Sequence, residues 1–282
     1  MAPEGLVDST THQWDCRTAG HERNAYAPGS VHPDLAFALG LADVADSLSL
    51  PRFRAHDLVV DTKPDLTPVT EADRAVEEAL RARIAESRPG EVVVGEELGD
   101  DGPAETRWIV DPIDGTKNYS RGIPIWATLI ALEQGGELTV GVASAPALGR
   151  RWWARRGEGA FADGQPIHVS EITRVEEAVV SYTTTSLLRH GDALLALVAR
   201  AWHARTFSDF WQHLLVAEGA AEIALESGLN LWDVAALQVI VEEAGGRCTG
   251  LDGRPWTVDG GLVSSNGLLH EDALSVLGAP LH

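Results

Sequence analysis

Lysine is scarce in this 282-residue chain: Lys63 and Lys117 are its only two, against 20 arginines. Lys and Arg together total 22 against 42 Asp and Glu, a formal net charge of −20. Such a chain repels both a phosphate backbone and an anionic bilayer, so neither a nucleic-acid scaffold nor a membrane is expected as a partner. Cysteine is equally rare. Cys16 and Cys248 stand in no metal or disulfide pattern, as expected for a cytoplasmic protein in a reducing compartment. The first residues, MAPEGLVDSTTHQWD, lack a basic start followed by an apolar run, so no signal peptide is expected. The longest apolar stretch, Ile125–Leu132, is too short to cross a bilayer. Also absent are G-x-x-x-x-G-K-[ST], G-x-S-x-G, C-x-x-C and H-E-x-x-H, which removes P-loop, serine-elbow, dithiol and zinc-helix chemistries from consideration.

What is present is an ordinary globular composition, 44% hydrophobic, so the acidity does not signal disorder. Residues 1–30 are polar and aperiodic and predict a flexible N-terminal arm. Apolar spacing predicts a first helix over 33–50, and Thr70 with Asp73 three residues on predicts the capped start of a second over 70–85. Between them DTKPDLTPVT, with two prolines, reads as an extended loop. Strand-like runs follow at VVVGEELG, RWIVDPIDGT, IWATLIAL, LTVGVASAP, RWWARR and AVVSYTTT. Helical patterns come next at 192–202, 209–220 and 233–244, then a final strand and helix. The expectation is a mixed α+β protein whose halves, 31–170 and 171–282, join near 165–175. Trp152, Trp153 and Trp211 are expected at a subunit interface or a pocket wall.

The most informative segment is WIVDPIDGTKN. An apolar strand ends in Asp111, and Asp114 follows across Pro112, whose fixed φ holds a turn that lets both carboxylates point one way. The Ile113 carbonyl between them can face the same point. Gly115 and Thr116 then offer backbone N–H groups where a phosphate binds well. Two carboxylates and a carbonyl are hard ligands suited to Mg²⁺; the competing reading is a strand followed by an ordinary Asp-Gly turn. Glu96 and Glu97 follow a buried-looking strand, Asp233 opens an apolar helix, and Asp73 lies in TEAD. Each is equally readable as a solvated turn or a helix cap. Together Glu96, Asp111, Asp114 and Asp233 form the set that a two-metal phosphate site needs. Phosphatases that form an aspartyl-phosphate use Asp-x-Asp, whereas the spacing here is three with proline between. His168, His203 and His270 are scattered and read as surface or core residues.

The ordered set V-T-E-A-D (69–73), G-E-E (95–97), D-P-I-D-G-T (111–116) and W-D-V-A-A (232–236) resembles the inositol monophosphatase family, from about residue 33 to the end. Within it, DTKPDLTPVTEADRAVE, RGIPIWATLIAL, SAPALGRRWWARRGEGAF and SDFWQHLLVAEGAAEIALE look like the actinobacterial histidinol-phosphatases. Ser208 stands where that group is expected to carry glycine. The resemblance implies a layered αβαβα sandwich, usually a homodimer, hydrolysing a small phosphomonoester with two or three Mg²⁺ ions and a metal-activated water. It implies Glu96 and Asp111 with the Ile113 carbonyl at one ion, and Asp111, Asp114 and Asp233 at a second. Thr116 hydrogen-bonded to Asp73 would orient the water, with Glu96 counted beside them among the catalytic groups. Asp114, Gly115, Thr116, Lys117, Arg205, Asp209 and Glu226 would bind substrate. L-histidinol phosphate is the implied ester, with inositol-1-phosphate or a related sugar or nucleotide monophosphate as the alternative.

Overall fold

A computed structural model describes residues 31–64, 66–183, 191–207, 209–258 and 260–277; the expected arm over 1–30 and Ser208 lie outside these described residues. The first helix, α1 (Pro33–Arg52), starts where Pro33 at its N-terminus needs no donor and the His32 ring accepts from the Asp34 N–H. The hairpin β1 (Val60–Thr62) and β2 (Pro68–Thr70) follows, pairing Val60 with Thr70 and Thr62 with Pro68. Here the structure departs from the extended loop expected over 61–70. Pro68 occupies an exposed two-stranded ribbon in which a missing N–H is tolerated, and the tip is closed by Lys63 N–H donating to Thr67 O at 2.8 Å.

Helix α2 (Glu71–Ser87) then leads into an eight-stranded sheet built from β3 (Val92–Gly95), β4 (Gly99–Asp100), β5 (Thr106–Asp114), β6 (Ala127–Gln134), β7 (Glu137–Ala145), β8 (Arg150–Arg155), β9 (Gly159–Ala162) and β10 (Gln165–Ile167). Its order is β10-β9-β8-β7-β6-β5-β3-β4, and only β3 and β5 run parallel. The short helix α3 (Thr116–Ser120) caps the top of β5. A second sheet of five strands follows, ordered β12 (His203–Arg205), β11 (Val179–Tyr182), β13 (Ile223–Ser227), β15 (Gly261–Ser265) and β14 (Arg247–Gly250). Its helices are α4 (Gly191–Arg200), α5 (Asp209–Ala217), α6 (Leu231–Glu243) and α7 (His270–Leu277).

Apolar cores fill the spaces between five layers. Leu41 of α1 and Leu80 of α2 pack on Trp108, Ile130 and Val142 of the large sheet. On its opposite face, Phe210 and Leu214 of α5 and Val239 and Ile240 of α6 fill the space between the two sheets. Leu197 of α4 and Leu274 of α7 close the far face of the small sheet on Val180, Ile223 and Val263. The arrangement is the expected αβαβα sandwich. Helix α6 is apolar all round because it is sandwiched, and Gly141 of β7 permits the contact. A Cβ there would lie 2.4 Å from the Ala236 carbonyl oxygen. The tryptophans of β8 correct one expectation: Trp152 and Trp153 are buried within the chain itself. Successive strand residues face opposite ways, so Trp152 enters the middle core and Trp153 the outer one. Trp211 is half-buried against Phe207, with ring centroids 5.3 Å apart.

Candidate active site

The top of β5 is where the pairing with β6 breaks register, between Asp111 and Asp114. That irregularity re-aims side chains that strict alternation would send to opposite faces. Thr128 pins it by donating to the Pro112 carbonyl at 2.8 Å. Gly115 follows with φ 84° and its Cβ position 3.0 Å from the Ile125 carbonyl oxygen, a turn closed to other residues on both counts. The chain then enters α3, whose start carries no side-chain cap.

Two helix starts deliver further carboxylates, and in both the cap and the site use one side chain. At α2, Asp73 Oδ2 accepts from the Thr70 backbone N–H at 2.8 Å, while Oδ1 accepts from the Thr116 hydroxyl at 3.1 Å. The Thr116 hydroxyl also lies 2.9 Å from the Ile113 carbonyl oxygen. At α6, Asp233 Oδ2 accepts from the Asn230 N–H at 2.6 Å. Ligand atoms of Asp111, Asp114 and Asp233 all lie within 4.8 Å of one another. Asp73 and Asp233 thus cap their helices and lie beside the other acids at the same time.

Glu96 is held differently. Lys63, on the hairpin tip, donates to Glu96 Oε1 at 2.7 Å and Glu97 Oε1 at 2.6 Å. The turn that presents these acids rests on Glu77, fully buried, which accepts from the Glu97 N–H at 2.7 Å and the Leu98 N–H at 3.1 Å. Gly95 is required above it, since a Cβ there would stand 2.1 Å from Glu77 Oε1. Neither Lys63 nor Glu77 was among the site residues expected from the sequence. The signal for Lys63 was its rarity together with its place in a motif-bearing segment.

Electrostatics separates these groups. Burial first, then Glu96, Asp114 and Asp233, raises the Asp111 carboxyl well above the usual range. Burial, then Asp209, Asp233 and Glu226, does the same to Asp114. Asp233 is pushed up to about 7 by burial, with Glu96 and Glu226 adding to it, and burial raises Asp73. Lys63 is raised as well, and for a base this favours the charged form: although burial lowers it, its bonds to Glu96 and Glu97 raise it above the ordinary ammonium range. Asp111 Oδ1 is buried without a hydrogen-bond partner. An orphaned carboxylate oxygen among mutually repelling acids fits a hard divalent cation.

Next to Asp114, Asp209 begins α5 with φ 50°, a strained backbone for a non-glycine residue. Its Oδ2 accepts from Asn118 Nδ2 at 2.9 Å, and the next N–H, Phe210, donates to Asp114 Oδ2 at 2.7 Å. Glu226, on β13, is 6% exposed and accepts from Gln212, Thr183 and His213. Gln212 and His213 were missed in the sequence, although two polar residues inside the apolar run of α5 were a usable signal. Lys117 is exposed on α3. Arg205 is exposed on the edge strand β12, its Nη1 donating to the Ala204 carbonyl at 2.9 Å. The structure thus brings Asp209 and Glu226 toward Asp114, and leaves Arg205 with a local partner on the sheet edge.

Residues 30–279 match the inositol monophosphatase family. The chain belongs to that family. It is a phosphoric monoester hydrolase, of a family for which magnesium is typical. It is 51% identical over 257 residues to the histidinol-phosphatase of Mycobacterium tuberculosis, covering 88% of this chain and 99% of that protein. It is 47% identical to the histidinol-phosphatase of Streptomyces coelicolor, over 86% of this chain and 96% of that one. Among solved structures, the inositol monophosphatase of Thermotoga maritima superimposes with a TM-score of 0.79 at 31% identity, over 88% of this chain and 97% of that chain.

Proposed function

We propose that this family member hydrolyses L-histidinol phosphate to L-histidinol and phosphate, the step named by its relatives at 51% and 47% identity. The observation that carries the reading is the pair Asp209 and Glu226, two carboxylates beyond those needed for a metal, both acting on Asp114. A substrate with an ammonium and an imidazole supplies the positive charge that such a pair attracts. Inositol-1-phosphate, whose hydroxyls the same carboxylates can accept, is the second reading, favoured by a relative at 33% identity named inositol-1-monophosphatase.

In this reading Glu96, Asp111 and the Ile113 carbonyl hold one Mg²⁺, and Asp111, Asp114 and Asp233 hold a second. When bound, the ions neutralise the phosphate ester and make water acidic enough to attack it in line. The chain's own groups do the rest. Asp73 Oδ1 takes the hydrogen of the Thr116 hydroxyl, leaving the Thr116 oxygen to accept from a water and aim it. The water's proton then passes by way of Thr116 to Asp73, whose carboxyl burial has made more basic. Gly115 and Thr116 N–H groups, with Lys117 beside them, receive the phosphate oxygens, and Arg205 reaches a phosphate or a neighbouring subunit. The family resemblance extends the reading to a cytoplasmic homodimer. Among the described residues no helix is long and apolar enough to cross a membrane.

The test is a panel of phosphomonoesters with Mg²⁺ and with excess chelator. We expect histidinol phosphate to be hydrolysed at least about tenfold better than inositol-1-phosphate, the worth of about one charged hydrogen bond, and activity to vanish in chelator and return with Mg²⁺. Equal turnover of the two esters refutes the substrate; full activity in chelator refutes the metal.

A further inference from the structure

Behind Glu226 lies a directional chain of hydrogen bonds that reaches no metal ligand. Cys248 Sγ lies 3.3 Å from Ser264 Oγ, Ser264 Oγ lies 2.8 Å from His213 Nδ1, and His213 Nε2 lies 3.2 Å from Glu226 Oε2. The order of donors follows from chemistry. An ionised carboxylate only accepts, so His213 Nε2 donates to Glu226. With the ring hydrogen there, Nδ1 accepts from the Ser264 hydroxyl, whose oxygen is left to the Cys248 thiol, kept protonated because burial pushes it up to about 12. His213 and Ser264 are 1% and 0% exposed, so this is no solvated face.

A second arm converges on the same carboxylate. Gln212, adjacent on α5, donates from Nε2 to Glu226 Oε2 at 2.7 Å, and Thr183 donates to Oε1 at 3.0 Å. Gln212 is itself fixed, its Oε1 accepting from Ser181 at 3.0 Å. Three donors, each anchored from behind, therefore set the plane of one carboxyl group. That group acts on Asp114 and Asp233, and among the described residues no lysine or arginine forms an ion pair with it. A buried carboxylate supplied with donors at the back is prepared for a charge arriving from the front.

We infer that His213 and Gln212 are positioning residues for substrate specificity: they hold the Glu226 carboxylate in the orientation that receives a cationic amine on the substrate. The inference rests on the proposed substrate class and deepens it, since it names what makes Glu226 selective for an ammonium over a hydroxyl.

The experiment compares histidinol phosphate with its analogue carrying hydrogen in place of the amine, in wild type and in His213→Leu, His213→Gln and Ser264→Ala, all with Mg²⁺. Wild type tests the substrate reading by itself: no preference for the amine refutes that reading and takes the inference with it. Given the preference, His213→Leu is expected to reduce it about tenfold through KM, the loss of one hydrogen bond to a charged group. The analogue's kcat/KM should be unchanged. His213→Gln, whose amide can donate from the same place as Nε2, is expected to restore most of it. Ser264→Ala, which only frees Nδ1, should reduce it about threefold, as a neutral hydrogen bond does. An unreduced preference in folded His213→Leu, or equal losses on both esters, overturns the positioning role while leaving the substrate standing. If His213→Leu does not fold, Ser264→Ala decides the matter, an unchanged preference there being the overturning result.

Discussion

Glu96 and Glu97 on one side, and Asp111, Asp114 and Asp233 on the other, are two groups of carboxylates brought together by the same fold. They differ in what balances them. The glutamates close on Lys63, a cation carried by the chain at 2.7 and 2.6 Å. The aspartates have their own backbone caps, an orphan oxygen on Asp111, and each other. Clustered buried acids cost stability unless a counter-charge is present. The first group therefore carries a counter-charge of its own, although burial, with Glu96 and Asp73 adding to it, still pushes Glu97 up to about 7, whereas among the described residues no lysine or arginine pairs with the second. A net charge of −20 says nothing about this distinction, because the local sign decides which anion can approach.

The sharpest way to break the comparison is Asp111→Asn. In the proposed scheme Asp111 is shared by both ions, so kcat with Mg²⁺ should fall on the order of 10³-fold or more, several kcal/mol of transition-state stabilisation. The same change removes one of the repelling charges and fits a buried site, so the metal-free protein should melt at a higher temperature than wild type. Activity loss accompanied by gained stability is the signature of an acid kept for an ion. A variant that retains half its activity, or that melts lower without metal, puts Asp111 among ordinary structural residues.

Why the aspartates were legible in the sequence and the glutamates' partner was not has a physical reason. Asp111 and Asp114 are three residues apart on one strand end, and Asp73 and Asp233 sit at helix N-termini, so local rules already place them near element ends. The fold followed likewise from long periodic segments such as α2 and β5 to β8. Lys63 reaches Glu96 only because β1 pairs with β2, a pairing masked by the two prolines of a segment that reads as a loop. His213 meets Glu226 only because α5 lies against β13, and β13, a five-residue strand soon after the turn at Gly219, was not foreseen. Trp152 and Trp153 were expected at an interface or a pocket wall because aromatic size alone does not reveal that both faces of β8 are covered.

A smaller effect tests the other side of the comparison. Lys63→Met leaves Glu96 and Glu97 as uncompensated as the aspartates. The Lys63 side chain is 19% exposed and that of Glu97 5%, so the pair is worth more than a surface bridge. The metal-free variant should lose about 1–3 kcal/mol, the cost of leaving a charged group without its hydrogen bonds. Saturating Mg²⁺ should recover part of that loss, because an ion held by Glu96 replaces the ammonium. Thermal midpoints with and without Mg²⁺ measure both; an unchanged midpoint without metal refutes the view that Lys63 is the counter-charge.

The gentlest test is pH, and its sign follows from the direction of the shifts. Asp233, pushed up to about 7 from an ordinary 3.8, binds its proton more tightly in the folded chain than in the unfolded one. Such a group contributes stability below 3.8 that is lost as pH rises toward about 7, and Asp111 and Asp114, both raised, act in the same direction. The Lys63 group is raised as a base, so its contribution persists through this whole window and fades only in alkali. Metal-free protein should therefore melt progressively lower as pH climbs from 3.8 to about 7, Glu97, also pushed up to about 7, adding to the aspartates. Mg²⁺ should flatten the slope by binding the ionised form, and Asp111→Asn should reduce it without metal. Lys63→Met, which leaves Glu96 and Glu97 uncompensated, should lower the curve and steepen its descent, so a slope that survives Asp111→Asn unchanged would assign the repulsion to the glutamates instead.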